Sequence, residues 1–239
     1  MLLTLDHVIL RTADPHATLR ELSDRLGAPV LAEVEEVSGL ASGIVRAGEL
    51  DLEVLRIGAE APIRPLGYGL GFTADVPLAE AAVALRQRGF ATSAAVSATA
   101  GGRTWRAIQV HGLLPDPFPV PASTRRPGVF DRATEAAAGV LTKVPAIAKA
   151  ATRKPGGSMV VVTEYGFDAA AWRAKAGHGP DVYSVEVGTG GHDWTRLEIE
   201  PGPLQLQTDG PPGVRCITLE GDAEPFMVGA VAFEFNSAA

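Results

Sequence analysis

The sequence predicts an α+β fold built from repeated strand–helix–strand–strand–strand units. In the opening LDHVILRTADPH, Leu3, Leu5, His7 and Ile9 alternate with Asp6, Val8 and Leu10, which is the period of a strand. The same shape returns in GYGLGFTADVPL, so that Thr12-Ala13-Asp14 superposes on Thr73-Ala74-Asp75. Composition supports a packed interior. With 46% apolar and 21% charged residues over 239 positions, the chain has the balance of a globular protein with room for one large or two to three small units.

The first unit divides cleanly. Asp14 stands where an N-cap belongs and Pro15 at the first helical position, so a helix starts there. Its apolar residues Ala17, Leu19, Leu22 and Leu26 share a face, and Gly27 ends it. Three strands follow, PVLAEVEEV, GLASGIVRAG and LDLEVLRIG, separated by Ser38-Gly39 and Gly48. The second unit runs through the strand GYGLGFTAD, the helix LAEAAVALRQRGF, and the strands ATSAAVSA and RTWRAIQVHG. DPFPVPAS would be its last strand, weakened by prolines.

An Ala-rich helical stretch comes next, interrupted at Pro145 and closed by Pro155-Gly156-Gly157; it reads as a connector that packs outside or links subunits. Beyond it, SMVVVTEYGFDAAAWRAKAG again gives strand then helix. DVYSVEVGTG, TRLEIEPG, PLQLQTDG, GVRCITLEGD and MVGAVAFEF add strands, making a third, partial unit. The expected division is therefore a paired domain over 1–125 (units 1–60 and 66–125), a connector over 126–157 and a β-rich partial unit over 158–239. Each unit leaves one sheet face that it cannot cover alone, so the units should pack together.

Several function classes are disfavoured. A net charge of −7 without a concentrated basic face argues against nucleic acid as the partner. No apolar run reaches the length of a membrane span, and Met1-Leu2-Leu3 carries no basic stretch of the kind that opens a secretory leader. Cys216, the single cysteine, cannot make an internal disulfide, in keeping with a cytoplasmic location, and in GVRCITL it reads as a small buried hydrophobe. The GTGGHDW stretch lacks the Lys-Ser/Thr of a phosphate loop and reads as a hairpin turn. No G-x-S-x-G elbow is present.

Four stretches in order, LDHVILRTADPHATLRELSDRLGAPV, SGLASGIVRAGELDLEVL, GLGFTADVPLAEAAVALRQRGF and RTWRAIQVHGLLPDPFPV, resemble a glyoxalase-like branch of the vicinal oxygen chelate superfamily. The resemblance covers roughly the first 125 residues and continues more weakly through MVVVTEYGFDAAAWR and PPGVRCITLEGD. It implies paired βαβββ modules curved into a cup, helices packed outside, and a small oxygenated metabolite enclosed. Family chemistries include lyase, isomerase and dioxygenase reactions assisted by a divalent metal such as Zn, Fe, Mn or Ni, and some members only sequester a compound.

By that resemblance His7 takes the first-strand ligand position and Glu53 the last-strand one of the same module. The second module departs, with Tyr68 where the repeat of His7 should stand and Pro121 or a neighbour where an acid is expected. Two protein ligands hold a divalent ion weakly, since catalytic sites use three or more; His111 is a candidate third. Two readings follow. In one, a metal held at His7 and Glu53 assists a proton transfer. In the other, Tyr68, Trp105 and Phe118 form an apolar wall and His7 and Glu53 orient a ligand without metal. His7 is a possible base in either case, because imidazole titrates near neutrality. Each residue also has a plainer reading: a hydrogen-bonded pocket histidine, a solvated strand glutamate, a core tryptophan. The partner expected is a small molecule, with a homodimer as a further possibility through the Ala-rich or C-terminal segments.

Overall fold

The computed structural model of the protein describes residues 1–37, 40–57, 66–115 and 158–237. The first unit forms as its sequence predicts: β1 (Leu3–Arg11), α1 (Pro15–Leu26), β2 (Val30–Val37), β3 (Leu40–Ala47) and β4 (Leu50–Ile57). Asp14 caps α1, accepting from the Ala17 amide at 3.0 Å, and Gly27 ends it in the left-handed region at φ 59°. Leu19, Leu22 and Leu26 bury the helix against the sheet.

The second unit contains β5 (Leu66–Ala74), α2 (Leu78–Gln87), β6 (Ala91–Thr92), β7 (Val96–Ala100) and β8 (Arg103–His111). Its last strand is β9 (Met159–Tyr165), lying parallel to β5 and antiparallel to β8. This differs from the sequence reading, which placed that segment at the head of the C-terminal unit. A strand followed by an Asp-capped helix looks the same in sequence whichever sheet it joins. DPFPVPAS and the whole Ala-rich stretch lie outside the described residues.

The two halves form one nine-stranded sheet, ordered β2-β3-β4-β1-β5-β9-β8-β6, with β7 also on β8. Each half repeats one pattern: the first and last strands are parallel (β1 with β4, β5 with β9), and β1 meets β5 antiparallel at the centre. The sheet curls until its edges approach. The Gly101 amide, in the turn between β7 and β8, donates to Glu35 Oε2 of β2 at 2.7 Å. The cup is thereby nearly closed.

A second, five-stranded sheet follows α3 (Ala169–Ala174): β10 (Val182–Gly188), β11 (Leu204–Gln207), β12 (Gly213–Glu220), β13 (Phe226–Val228) and β14 (Val231–Asn236), ordered β11-β10-β12-β14-β13. TRLEIEPG, expected as a strand, makes only a bridge between Ile199 and Leu3, because the prolines and glycines after it turn the chain away. Cys216 is buried, as the alternation of its strand implies.

The two faces of the large sheet bury different residues. One face carries α1 and α2, and there Val8, Leu10, Leu52, Leu70 and Phe72 share a core with Val185, Ile217 and Phe233 of the C-terminal sheet. Each fully buried side chain of this kind contributes about 1.5–3 kcal/mol. On the concave face Ile9, Leu55, Ile57, Tyr68 and Val161 form a separate, smaller cluster. No helix among the described residues is long and apolar enough to cross a membrane.

Candidate functional site in the cup

Two bulges decide which side chains look into the cup. Across the β1–β5 pair, Leu5 faces Phe72 and the next pair is His7 with Gly71, so Asp6 is an extra residue. The mirror event places Ile9 opposite Gly69 and Leu10 opposite Gly67, leaving Tyr68 extra. A bulge inserts one residue and shifts the alternation by one. Asp6 therefore joins His7 on the concave side, whereas Leu5, expected beside His7, packs toward the helix-side core. The matching bulge turns Tyr68 into the concave cluster.

Asp6 and His7 sit at the centre of a buried polar network. His7 Nδ1 lies 2.8 Å from Asp6 Oδ2, and Tyr165 donates to that same oxygen at 2.6 Å. Arg173 of α3 reaches over the strands, donating to Asp6 Oδ1 at 2.7 Å and to Asp51 Oδ2 at 2.6 and 2.8 Å. Arg46 Nη1 holds the other Asp51 oxygen at 2.7 Å. Glu53 stands on the open side, with Oε2 at 3.7 Å from His7 Nε2 and Oε1 accepting from Ser42 at 2.5 Å. Its side chain is 21% exposed against 11% for His7, so the solvent-facing end of the network is Glu53.

The electrostatics follow from this arrangement. Burial alone would lower the His7 pKa; the carboxylates of Asp6, Glu53 and Asp51 outweigh it and raise it above 6.5. Burial works against the Asp6 carboxylate too, yet His7, Arg173 and the Tyr165 hydroxyl hold it well below the usual range. Burial and the neighbouring Asp6 carboxylate push the Tyr165 phenol upward. The raised value favours the protonated form of His7, whose Nδ1 is hydrogen-bonded to Asp6 and whose Nε2 faces Glu53.

The remaining sequence-predicted residues scatter over the same sheet. Trp105 pairs with Tyr165 and stands half-buried near the network, with Arg106 on the opposite face bonded to Glu164. Tyr68 lies at the other end of the strands, roughly 20 Å from Trp105 at ~3.3 Å per residue, so the two do not share a wall. His111 is buried, and β8 lies three strands from β1. Phe118 and Pro121 fall outside the described residues. The sequence reading missed Asp6, Asp51, Tyr165 and Arg173. Its available signal was an acid inside an apolar strand, LDHVIL, matched by one arginine in the helix AAAWRA.

A divalent ion of the kind the resemblance implies would need donors from both halves. The β1–β5 register centres on the pair Val8–Leu70, which makes Gly69 the counterpart of His7. The parallel pairs Ile9–Glu53 and Gly71–Val161 then make Val161 the counterpart of Glu53. Neither supplies a donor; Tyr68 is the counterpart of Asp6, not of His7. No group of three or more His, Cys, Asp or Glu suited to an ion occurs among the described residues. Among the described residues the donor set does not fit a resident divalent metal.

No protein-family model matches the chain, and no curated protein matches it either. Solved structures do. A hypothetical protein from Staphylococcus aureus is similar over 99% of this chain and 100% of its own, with a TM-score of 0.59 at 10% identity. A mutant of 4-hydroxymandelate synthase from Streptomyces coelicolor is similar over 92% of this chain and 71% of its own, with a TM-score of 0.53 at 13% identity. With its two halves joined through their first strands around one cup, the chain has a cupped α+β, glyoxalase-like fold.

Proposed function

We propose that the cup binds a small oxygenated metabolite through His7 and Glu53 without a resident metal. The observation that supports this reading most is the buried His7 ring, hydrogen-bonded to Asp6 through one nitrogen and facing Glu53 with the other. An N–H donor with its partner nitrogen locked is pre-organised to bind a carbonyl or carboxylate oxygen. Glu53, steadied by Ser42, accepts from a ligand hydroxyl or takes up an acidic proton next to that carbonyl. Binding is the core of the proposal. If turnover occurs, proton transfer beside a carbonyl is the class these two groups can perform.

The test is calorimetric titration of the wild type, His7→Gln and Glu53→Gln with a panel of 2-oxo and 2-hydroxy acids in EDTA. Saturable binding by the wild type that weakens at least tenfold in both variants is expected. Binding by no panel member, or equal binding by His7→Gln, overturns the proposal.

A further inference from the structure

Trp105 stands on the cup side of β8. The paired residues His7 with Gly71, Gly71 with Val161 and Val161 with Gln109 place Gln109 on the same face as His7. Trp105, four residues earlier in β8, shares that face, while Ile108 and Val110 alternate into the helix-side core. We propose that Trp105 selects the ligand of the cup, and that this ligand carries an aromatic ring which lies on the indole. The inference rests on the reading of His7 and Glu53 as the site of an acid or carbonyl head, and names the body attached to that head.

The other two tryptophans are occupied. Trp194 is 5% exposed and donates to the Leu113 carbonyl. Trp172 meets Phe167 edge-on at 5.5 Å and carries the Arg103 guanidinium over its ring at 4.7 Å. Trp105 is half-buried, yet among the described residues it donates no hydrogen bond, meets no ring and carries no cation. Its cross-strand neighbours explain this. Tyr165, opposite on β9, turns its hydroxyl to Asp6 at 2.6 Å and its ring to Phe167 at 5.3 Å. Ala98, opposite on β7, is too small to cover an indole.

The floor between His7 and Trp105 suits a flat body. Gly71, Thr163 and Ala107 occupy the cup face of three adjacent strands, and none of them rises above the height of a threonine. Trp105 lies roughly 13 Å along the strand from the His7 row at ~3.3 Å per residue, so a short linker must join the ring to its head. Stacking of two rings is worth about two- to tenfold in affinity beyond the area covered, which a saturated ring of the same size forgoes.

The experiment is calorimetric titration of the full chain, in EDTA, with three acids that share one head: 2-oxobutanoate, 4-phenyl-2-oxobutanoate and 4-cyclohexyl-2-oxobutanoate. The wild type is expected to bind the phenyl acid about threefold or more tightly than the cyclohexyl acid, although the latter is the more apolar. Trp105→Leu should remove that preference and leave 2-oxobutanoate bound as in the wild type, and Trp105→Phe should keep it. His7→Gln should weaken all three acids and keep the phenyl preference. Equal affinity of the wild type for the two ring acids overturns the role of Trp105 and leaves the reading of His7 and Glu53 standing. A preference that survives in Trp105→Leu, or loss of 2-oxobutanoate binding there, does the same. Undiminished binding by His7→Gln overturns that reading instead, and binding of none of the acids overturns both. Because the wild-type comparison needs no variant, the test stands even where Trp105→Leu fails to fold.

Discussion

His7 Nδ1 lies 2.8 Å from Asp6 Oδ2, although the two residues are consecutive and a regular strand would point them to opposite faces. The bulge at Asp6 makes the pair, and the pair sets the charge of the cup. The raised folded-state pKa of His7 means that its contribution to stability is fully present below 6.5 and lost as pH climbs through the folded value. Asp6 has the opposite sign: its lowered pKa gives stability that is present above 3.8 and lost as pH falls through the folded value. Asp6→Asn should cost ~3 kcal/mol near pH 6, since it strips a buried charge pair of one partner. Thermal unfolding of both proteins from pH 5 to 9 checks this. The gap between them should narrow as pH rises, without closing, because Arg173 and Tyr165 also rest on Asp6. A gap independent of pH would refute the assignment.

Gly71 provides the space for the imidazole. A methyl group built on Gly71 would overlap the His7 ring, so Gly71→Ala must push that ring away from Asp6. A cost of about 1–3 kcal/mol is expected for overpacking at this point. The His7 titration measured by NMR should move down toward 6.5 in the variant. An unmoved titration with unchanged stability would show that the ring does not sit where the structure places it.

Arg173 ties α3 across the strand ends. Its partners Asp6 and Asp51 are nearly fully buried, so truncation to Met leaves Asp51 with Arg46 alone and Asp6 with His7 alone as charged partners. Hydrogen exchange should accelerate throughout Ala169–Ala174, with a loss of ~3 kcal/mol in stability. Arg173→Lys should recover only part of that, because a point charge cannot reproduce three donated bonds to two acids. Full recovery by lysine would mean that charge alone is at work.

The C-terminal sheet shares its core with the helix-side face of the cup, and Trp194 reinforces the join by donating from Nε1 to the Leu113 carbonyl at 2.7 Å. Trp194→Phe should therefore cost about 1–3 kcal/mol by leaving a buried carbonyl unpaired. A chain ending at Gly179 should lose cooperative unfolding altogether, since Leu70 and Phe72 would then face water. Retention of a sharp calorimetric transition in that shortened chain would contradict the shared core.

Local signals made most of the elements readable. Asp14-Pro15 and Gly27 mark the ends of α1 with their own chemistry, and the recurring Thr-Ala-Asp exposed the duplication. What escaped were facts about partners. MVVVTEY carries the same pattern whether it begins a unit or ends one, and only pairing with β5 and β8 decides. The bulges were hidden for the same reason: LDHVIL reads as one unbroken strand, and Asp6 changes face only when set against Gly71. The spacing of Gly67, Gly69 and Gly71 was the one visible clue, since each glycine lies against an approaching group, Val214, Met159 or His7. His7 and Glu53 were found together through the family likeness. Asp51 and Arg173, which complete their surroundings, required coordinates.

The protonation of His7 within the cup underlies the whole functional account. Long-range proton–nitrogen correlation of its ring at pH 6, recorded with and without one equivalent of zinc, reads this directly. The account predicts two protonated ring nitrogens in both spectra. A single deprotonated nitrogen that shifts on adding zinc would contradict it and return the site to metal chemistry.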